Sequence, residues 1–387
     1  ELPSMTFKNK AVVLSGAKID VHTPKDFYFG RVYSDIQNYT ECIYRRIQQG
    51  GRTAWTNNGE DTLLLEAIGG GGLSFEQGAD LLPRTVIFHD TAVRPDGNWN
   101  LRPIEETSNM WYLMSDNHVW NCRELTADNV SNEFIFDSYI SKHMSPFFVA
   151  QPAKAMIPGK HENNGWRALS FEERALLNTG TESAFTQIET GMNMHLSDFF
   201  VRKVNIRNKL NKQDFSRGDW LVLSNAGGTT PCAAYLSLEG VDKSHVLVDQ
   251  TLYWYLAQSE EEALYVTGII NSCAISEAIR EFQPEGGFGA RHIHTLPYKM
   301  IPAFNEDDPI HIGIVESTRA LANDWLDLCD NSDIGRLLNP NSGSLNSRRR
   351  SQRRALQMLP SYGTYEEACR PVSYTHLRAH ETRHDLV

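Results

Sequence analysis

Apolar and polar positions alternate over residues 5–36, and the run Ala11–Leu14 is predicted to be a strand. Tyr39–Gln49 has helix-like spacing, and Leu63–Ile68 is an apolar segment closed by four glycines. Gly78–Phe88 reads as a turn followed by a buried strand. Short aromatic strands are predicted within Asp116–Ile140, and the prolines at 146, 152 and 158 favour extended or edge structure around Phe147–Ile157. Phe171–Ile188 reads as one helix or two. Trp220–Ser224 and Val246–Val248 read as strands, the first running into the turn signal Asn225-Ala226-Gly227-Gly228.

Tyr253, Trp254 and Tyr255 are bulky strand formers. Ser259 followed three residues later by Glu262 is a capping-box pattern, and Glu260, Glu261 and Glu262 suit the positive end of a helix dipole. The helix begun there is expected to run past Arg280 and stop at Pro284. Gly286–Arg291 cannot readily continue it; its glycines allow close backbone approach to a ligand. Beyond the polar break Asn305–Pro309, Ile314, Leu321, Trp325 and Leu328 mark a helix over Ile310–Leu328, with shorter helices at Leu345–Leu359 and Tyr365–Arg370. The expected class is α/β in the mixed α+β sense. Residues 1–304 form the body, in two lobes breaking near 150–200, and residues 305–370 form a helical tail.

Composition narrows the options. The 387 residues carry a net charge of −11, which disfavours a generic nucleic-acid binder and favours a protein-interaction module. Local distribution counts for more than the sum. Residues 201–220 hold Arg202, Lys203, Arg207, Lys209, Lys212 and Arg217 against Asp214 and Asp219. A second cationic run is Arg348-Arg349-Arg350 with Arg353 and Arg354. The six cysteines form no C-x-x-C pair, so free thiols in a reducing cytoplasm are expected, with neither zinc ribbon nor disulfide framework. No apolar run reaches the roughly 18–20 residues of a membrane span.

Several stretches, in order, resemble N-6 adenine-specific DNA methyltransferases of restriction–modification systems, of the type II and IIG-like kind. Phe75–Arg84 is similar to a segment that ends in proline-arginine before a strand. Arg207-Asn208-Lys209-Leu210, with Asn205 nearby, resembles a short basic element. Ser224–Gly228 and Val248–Tyr253 resemble paired strands, and Glu261–Tyr265 with Ile270–Ser272 resembles the helix that follows. Phe288–Pro297 resembles a loop and strand carrying one arginine, and Leu345–Arg350 a tail element. The resemblance spans roughly residues 75–370 and is most specific from 205 onward. The closing segment 371–387 resembles a translated sequencing-adaptor read, so the helix-spaced His376, His380 and His384 are given no metal role.

The resemblance implies the C-terminal target-recognition region, truncated at its N-terminus. The family's glycine-turn site for S-adenosylmethionine is missing here. So is its Asn/Asp-Pro-Pro-aromatic tetrapeptide; Asn339-Pro340-Asn341 has one proline and no aromatic. This chain alone is expected neither to methylate nor to cut, and to hold no cofactor. The implied partners are double-stranded DNA and the missing N-terminal catalytic domain, with no membrane. Arg207, Lys209 and Lys212 are the expected phosphate contacts, with Arg217 beside them. Arg291 is the expected base or phosphate contact with His292 adjacent, and Arg348 and Arg349 belong to a backbone-gripping arm.

Overall fold

The computed structural model describes residues 27–33, 39–49, 52–56, 73–103, 125–162, 165–273 except Thr229, 275–276, 298, 301–330 and 344–377. The expected strand at Ala11–Leu14, the apolar segment Leu63–Ile68 and the loop Gly286–Arg291 lie outside them.

The first three strands form an antiparallel meander: β1 (Phe27–Tyr33), β2 (Tyr39–Gln49) and β3 (Arg52–Thr56). Phe29 is opposite Ile43 and Ile47 opposite Ala54. The helix expected over Tyr39–Gln49 is therefore a strand. Thr40, Ile43, Tyr44 and Ile47 are β-branched or aromatic, and two flanking strands satisfy the backbone that a helix would have satisfied internally.

The body follows. After β4 (Glu76–Gln77) the expected buried strand begins late: Arg84–Ile87 is a helical turn, α1, and β5 starts only at Phe88 and runs to Val93. Then come β6 (Trp99–Pro103), β7 (Ala127–Val130), β8 (Ile135–Tyr139), β9 (Met144–Ser145), β10 (Phe148–Val149), β11 (Ala153–Met156), β12 (Gly159–Glu162) and β13 (Gly165–Ala168). Two helices, α2 (Phe171–Arg174) and α3 (Thr179–Met192), occupy the stretch read as one helix or two. They are followed by α4 (Leu196–Phe199), β14 (Trp220–Asn225), β15 (Ala233–Ser237), β16 (Val246–Val248) and β17 (Leu252–Ala257).

Two sheets carry the body. One has the order β16-β8-β11-β5-β6-β7, antiparallel except for the β16–β8 pair. Helix α3 covers it, burying Ala184, Phe185 and Ile188, with the Phe185 ring edge-on to Phe134 at 5.1 Å. The other has the order β15-β14-β17-β4, and the two strands read from Trp220 and Tyr253 pair in it, Ser224 opposite Tyr253. Alternation divides its side chains. Val222 and Tyr253 join one core; Leu221, Leu223 and Trp254 join another on the opposite face.

Helix α5 (Glu260–Asn271) starts at the expected cap, the Ser259 hydroxyl accepting from the Glu262 amide at 3.2 Å. The Glu262 carboxylate does not return to Ser259. It accepts from the Gln258 amide at 2.6 Å and the Tyr255 hydroxyl at 2.7 Å. Helix α5 breaks at Asn271, where Ser272 turns to an extended conformation and its hydroxyl donates to the Ile269 carbonyl; Cys273, Ile275 and Ser276 are again helical, and the expected stop at Pro284 lies outside the described residues. Helices α6 (Pro309–Asp330), α7 (Leu345–Leu356) and α8 (Tyr362–Leu377) complete the same core around the fully buried Trp325 and Tyr365. The Tyr365 hydroxyl donates to the Gly268 carbonyl at 2.5 Å. No described helix is long and apolar enough to cross a membrane.

The sheets meet where residues 77–80 lie along 248–252. Ala79 donates to the Val248 carbonyl at 2.8 Å, Gln250 to Ala79 at 2.7 Å and Gly78 to Leu252 at 3.0 Å. A Cβ at Gly78 would collide with the carbonyls of Val248 and Asp249. Asp249 is fully buried; its carboxylate accepts from Arg84 with both oxygens at 2.9 Å and from the Thr251 hydroxyl at 2.6 Å. Removing Arg84 strands the fully buried Asp249 carboxylate without its cation, so Arg84→Ala is expected to cost about 3–5 kcal/mol. Urea unfolding followed by tryptophan fluorescence measures this, and a loss below about 1 kcal/mol would mean the pair is dispensable.

Candidate nucleic-acid interface

The cation-rich stretch is built from apolar anchors with polar residues between them. Helix α4 leads into a wider turn, Phe200–Val204, and two 3-10 turns follow at Ile206–Asn208 and Leu210–Lys212. Phe199, Phe200, Val204, Leu210 and Phe215 are buried. They hold the segment to the body and leave the residues between them at the surface.

An asparagine network sets the shape of the turns. Asn205 is buried, and its side-chain oxygen accepts from the Leu210 amide at 3.0 Å. Its amide nitrogen donates to Asn208 at 3.2 Å and to Asn211 at 3.5 Å, and Asn211 donates to Asn208 at 3.2 Å. Arg207 and Asn208 both take left-handed conformations, φ 55° and 61°. Asparagine tolerates this region, whereas for arginine it costs of order 1–2 kcal/mol. The network that over-determines the turn absorbs that cost.

The turns are fastened to the sheet junction at two points. Lys209 Nζ lies 2.9 Å from the Asp80 carboxylate and donates to Gln77 at 3.1 Å. Gln213, buried, exchanges two hydrogen bonds of 2.8 Å with the backbone of Val248, as a neighbouring strand would. Lys209 is thus largely enclosed and holds the structure together. Arg207 and Lys212 are exposed, Lys203 is half-exposed, and none of the three forms an ion pair among the described residues. Arg217 is exposed beside Asp214 at 3.4 Å, a surface pair of small worth.

Arg348 and Arg349 are not where a backbone-gripping arm would need them. Both are interior, 4% and 3% exposed. Arg348 donates to the Lys142 carbonyl at 2.5 Å, and Arg349 donates to the Ser141 carbonyl at 2.9 Å and contacts the Cys232 thiol. Arg353 on the same helix reaches the Asn271 carbonyl at 3.2 Å. Helix α7, poor in apolar residues, is docked by guanidiniums that trade water for backbone oxygens. Burial pushes Arg348 down to about 10, leaving it charged at neutral pH, and pushes Arg349 down for the same reason. Arg291 and His292 lie outside the described residues.

Sequence reasoning counted Lys203 only in the local charge and did not foresee Asp80 and Gln77 as the partners of Lys209. The asparagines at 205, 208 and 211, spaced by threes, were the available signal for a side-chain-stapled turn. Among the described residues no cluster of histidine, cysteine, aspartate or glutamate could hold a metal ion.

No protein-family model matches the chain, and no curated protein matches it. Among solved structures, the chain is similar to the type IIL restriction–modification enzyme MmeI in complex with DNA. The identity is 8% and the TM-score 0.37, covering 89% of this chain and 45% of that one. The chain therefore spans less than half the length of that protein.

The inward and outward lysines should separate experimentally. Lys209→Ala leaves Asp80 without its cation and is expected to cost about 1–3 kcal/mol in urea unfolding. Lys212→Ala is expected to fall within about 0.5 kcal/mol of the parent. Equal losses would contradict this division of roles.

Proposed function

We propose that this chain is the DNA-recognition portion of a site-specific, S-adenosylmethionine-dependent adenine DNA methyltransferase of a restriction–modification system, with catalysis residing in a separate domain. The observation that carries the reading is the stapled turn of residues 205–212, which holds Arg207 exposed in a left-handed conformation and ends at Lys212, exposed and without an ion pair among the described residues. Strained backbone fixed by surrounding structure is a mark of functional sites. The sequence resemblance is most specific from this turn onward. Its next two elements are the β14–β17 pair and helix α5, which follow the turn in the chain.

Arg207, Lys212 and Lys203 serve as phosphate contacts that position the duplex without reading it. Each contact releases condensed counterions, so three of them imply a salt dependence of about −0.9 per phosphate on the logarithmic scale. A docking surface for a protein partner is the second reading, favoured by Phe171 and Leu176, which are 83% and 85% exposed.

Fluorescence anisotropy of a labelled duplex, titrated at increasing potassium chloride, tests the first reading. The double substitution Arg207→Ala and Lys212→Ala is expected to lower the slope by about 2 and to weaken binding uniformly across duplex sequences. Unchanged slope, or no duplex binding by the parent chain, would overturn the DNA reading and favour protein docking.

A further inference from the structure

Helix α7 carries positive charge into the interior, and at Arg349 no carboxylate among the described residues receives it. That guanidinium donates to the Ser141 carbonyl at 2.9 Å and the Ser141 hydroxyl at 3.4 Å and contacts the Cys232 thiol. Its Nε is buried and has no hydrogen-bond partner among the described residues. Burial pushes the Cys232 thiol up, although Arg349, Arg353 and Arg348 pull the other way, so the thiol stays neutral and supplies no counter-charge. Arg353, on the same helix, reaches the Asn271 carbonyl at 3.2 Å and the Ser276 hydroxyl, again neutral groups. Buried charges are ordinarily paired, because a low-dielectric interior neither solvates nor screens them. One that is not paired favours an anion at the adjoining surface.

That surface is the 3-10 turn Ser141–His143. Arg349 holds the Ser141 carbonyl from the interior, and Arg348 holds the Lys142 carbonyl at 2.5 Å. The side chains of Lys142 and His143 are half-buried. His143 Nδ1 lies 3.1 Å from the Gln151 carbonyl, which can only accept. Nδ1 therefore carries the hydrogen, and Nε2 is the nitrogen still able to take a proton. Burial pulls this imidazole down, its bond to Gln151 raises it, and Lys142, Arg348 and Arg84 nearby pull it down again. Three cations acting on one ring mark a positive potential at the turn.

The turn is referenced to the same sheet junction as the stapled turn. The Ser141 amide donates to the Thr251 hydroxyl at 3.1 Å, which in turn donates to Asp249 at 2.6 Å. The Asp249 carboxylate is fully buried and committed to Arg84. The stapled turn reaches the preceding residue, Val248, through Gln213. Two cation-bearing turns are thus fixed to one rigid point, with Arg207 and Lys212 on one and Lys142 and His143 on the other.

We propose that the Ser141–His143 turn is a second phosphate clamp of the duplex-binding surface, in which Lys142 and His143 grip a backbone phosphate over the buried charge of Arg349. This rests on the DNA reading above and adds contacts that lie outside the cationic run of residues 201–220. Lys142 supplies a point charge. A docked phosphate favours protonation of His143 at Nε2, which then donates to a phosphate oxygen, so binding takes up a proton there. The interior arginines act at one remove. They fix the turn through its carbonyls and supply potential without touching the duplex.

Anisotropy of a labelled duplex, titrated with potassium chloride at pH 7.5 and 6.0, tests this in the parent, Lys142→Gln, Lys142→Arg and His143→Gln. At pH 7.5 Lys142→Gln is expected to lower the logarithmic salt slope by about 1, and Lys142→Arg to leave it unchanged. Acidification is expected to tighten binding by the parent about threefold more than binding by His143→Gln, because only the parent takes up a proton at this turn. Thermal melting of each variant checks that the fold is intact. A slope lowered equally by Lys142→Gln and Lys142→Arg would make the residue a packing element and overturn the clamp. So would a slope retained by Lys142→Gln, or a pH response retained by His143→Gln, with duplex binding itself left standing. No duplex binding by the parent would overturn both readings.

Discussion

The close approach of Gly78 to the chain at Val248 and Asp249 is the constraint on which the remaining geometry depends. Only a residue without a Cβ allows the two backbones to exchange hydrogen bonds at this distance. The crossing joins β4 at the edge of one sheet to β16 at the edge of the other. Arg84 and Asp249 seal it with an ion pair in which one guanidinium nitrogen reaches both oxygens of the buried carboxylate. The cation-bearing turn is then referenced to the same point twice, through Lys209 to Asp80 and Gln77, and through Gln213 to Val248. A surface loop is thereby given the rigidity of a sheet junction.

An acidic chain can keep a local positive surface if its cations are sorted. The structure sorts them by anchoring. Where an apolar residue or an asparagine side chain pins the backbone, the next cation is turned either inward to a carboxylate, as at Lys209, or outward to solvent, as at Arg207 and Lys212. The arginines of helix α7 take a third path, into the interior, where backbone carbonyls replace water around the guanidinium. Charge runs that look alike in one dimension thus serve different ends.

That sorting marks the limit of what could be read beforehand. The strands at Trp220 and Tyr253, the Ser259 cap and the helix around Trp325 were legible because each depends on local spacing and propensity. The Tyr39–Gln49 strand was misread as helical because only its pairing with β1 and β3 decides between two compatible patterns. The break at Ser272 was not foreseen because, unlike a proline, a serine interrupts a helix by a hydrogen bond no composition rule marks. Arg348 and Arg349 were misplaced because the carbonyls of Ser141 and Lys142, some two hundred residues earlier, decide their burial. The cationic run of residues 201–220 was legible as a charge pattern, and the division of its side chains between inward and outward was not.

Hydrogen–deuterium exchange of the chain with and without duplex DNA, resolved to short peptides, tests the central claim most directly. Slowed exchange is expected in peptides covering Asn205–Gln213, with helix α7 unaffected, since its arginines are already committed to the interior. Protection confined to α7, or none in the turn at duplex concentrations that saturate binding, would contradict the account.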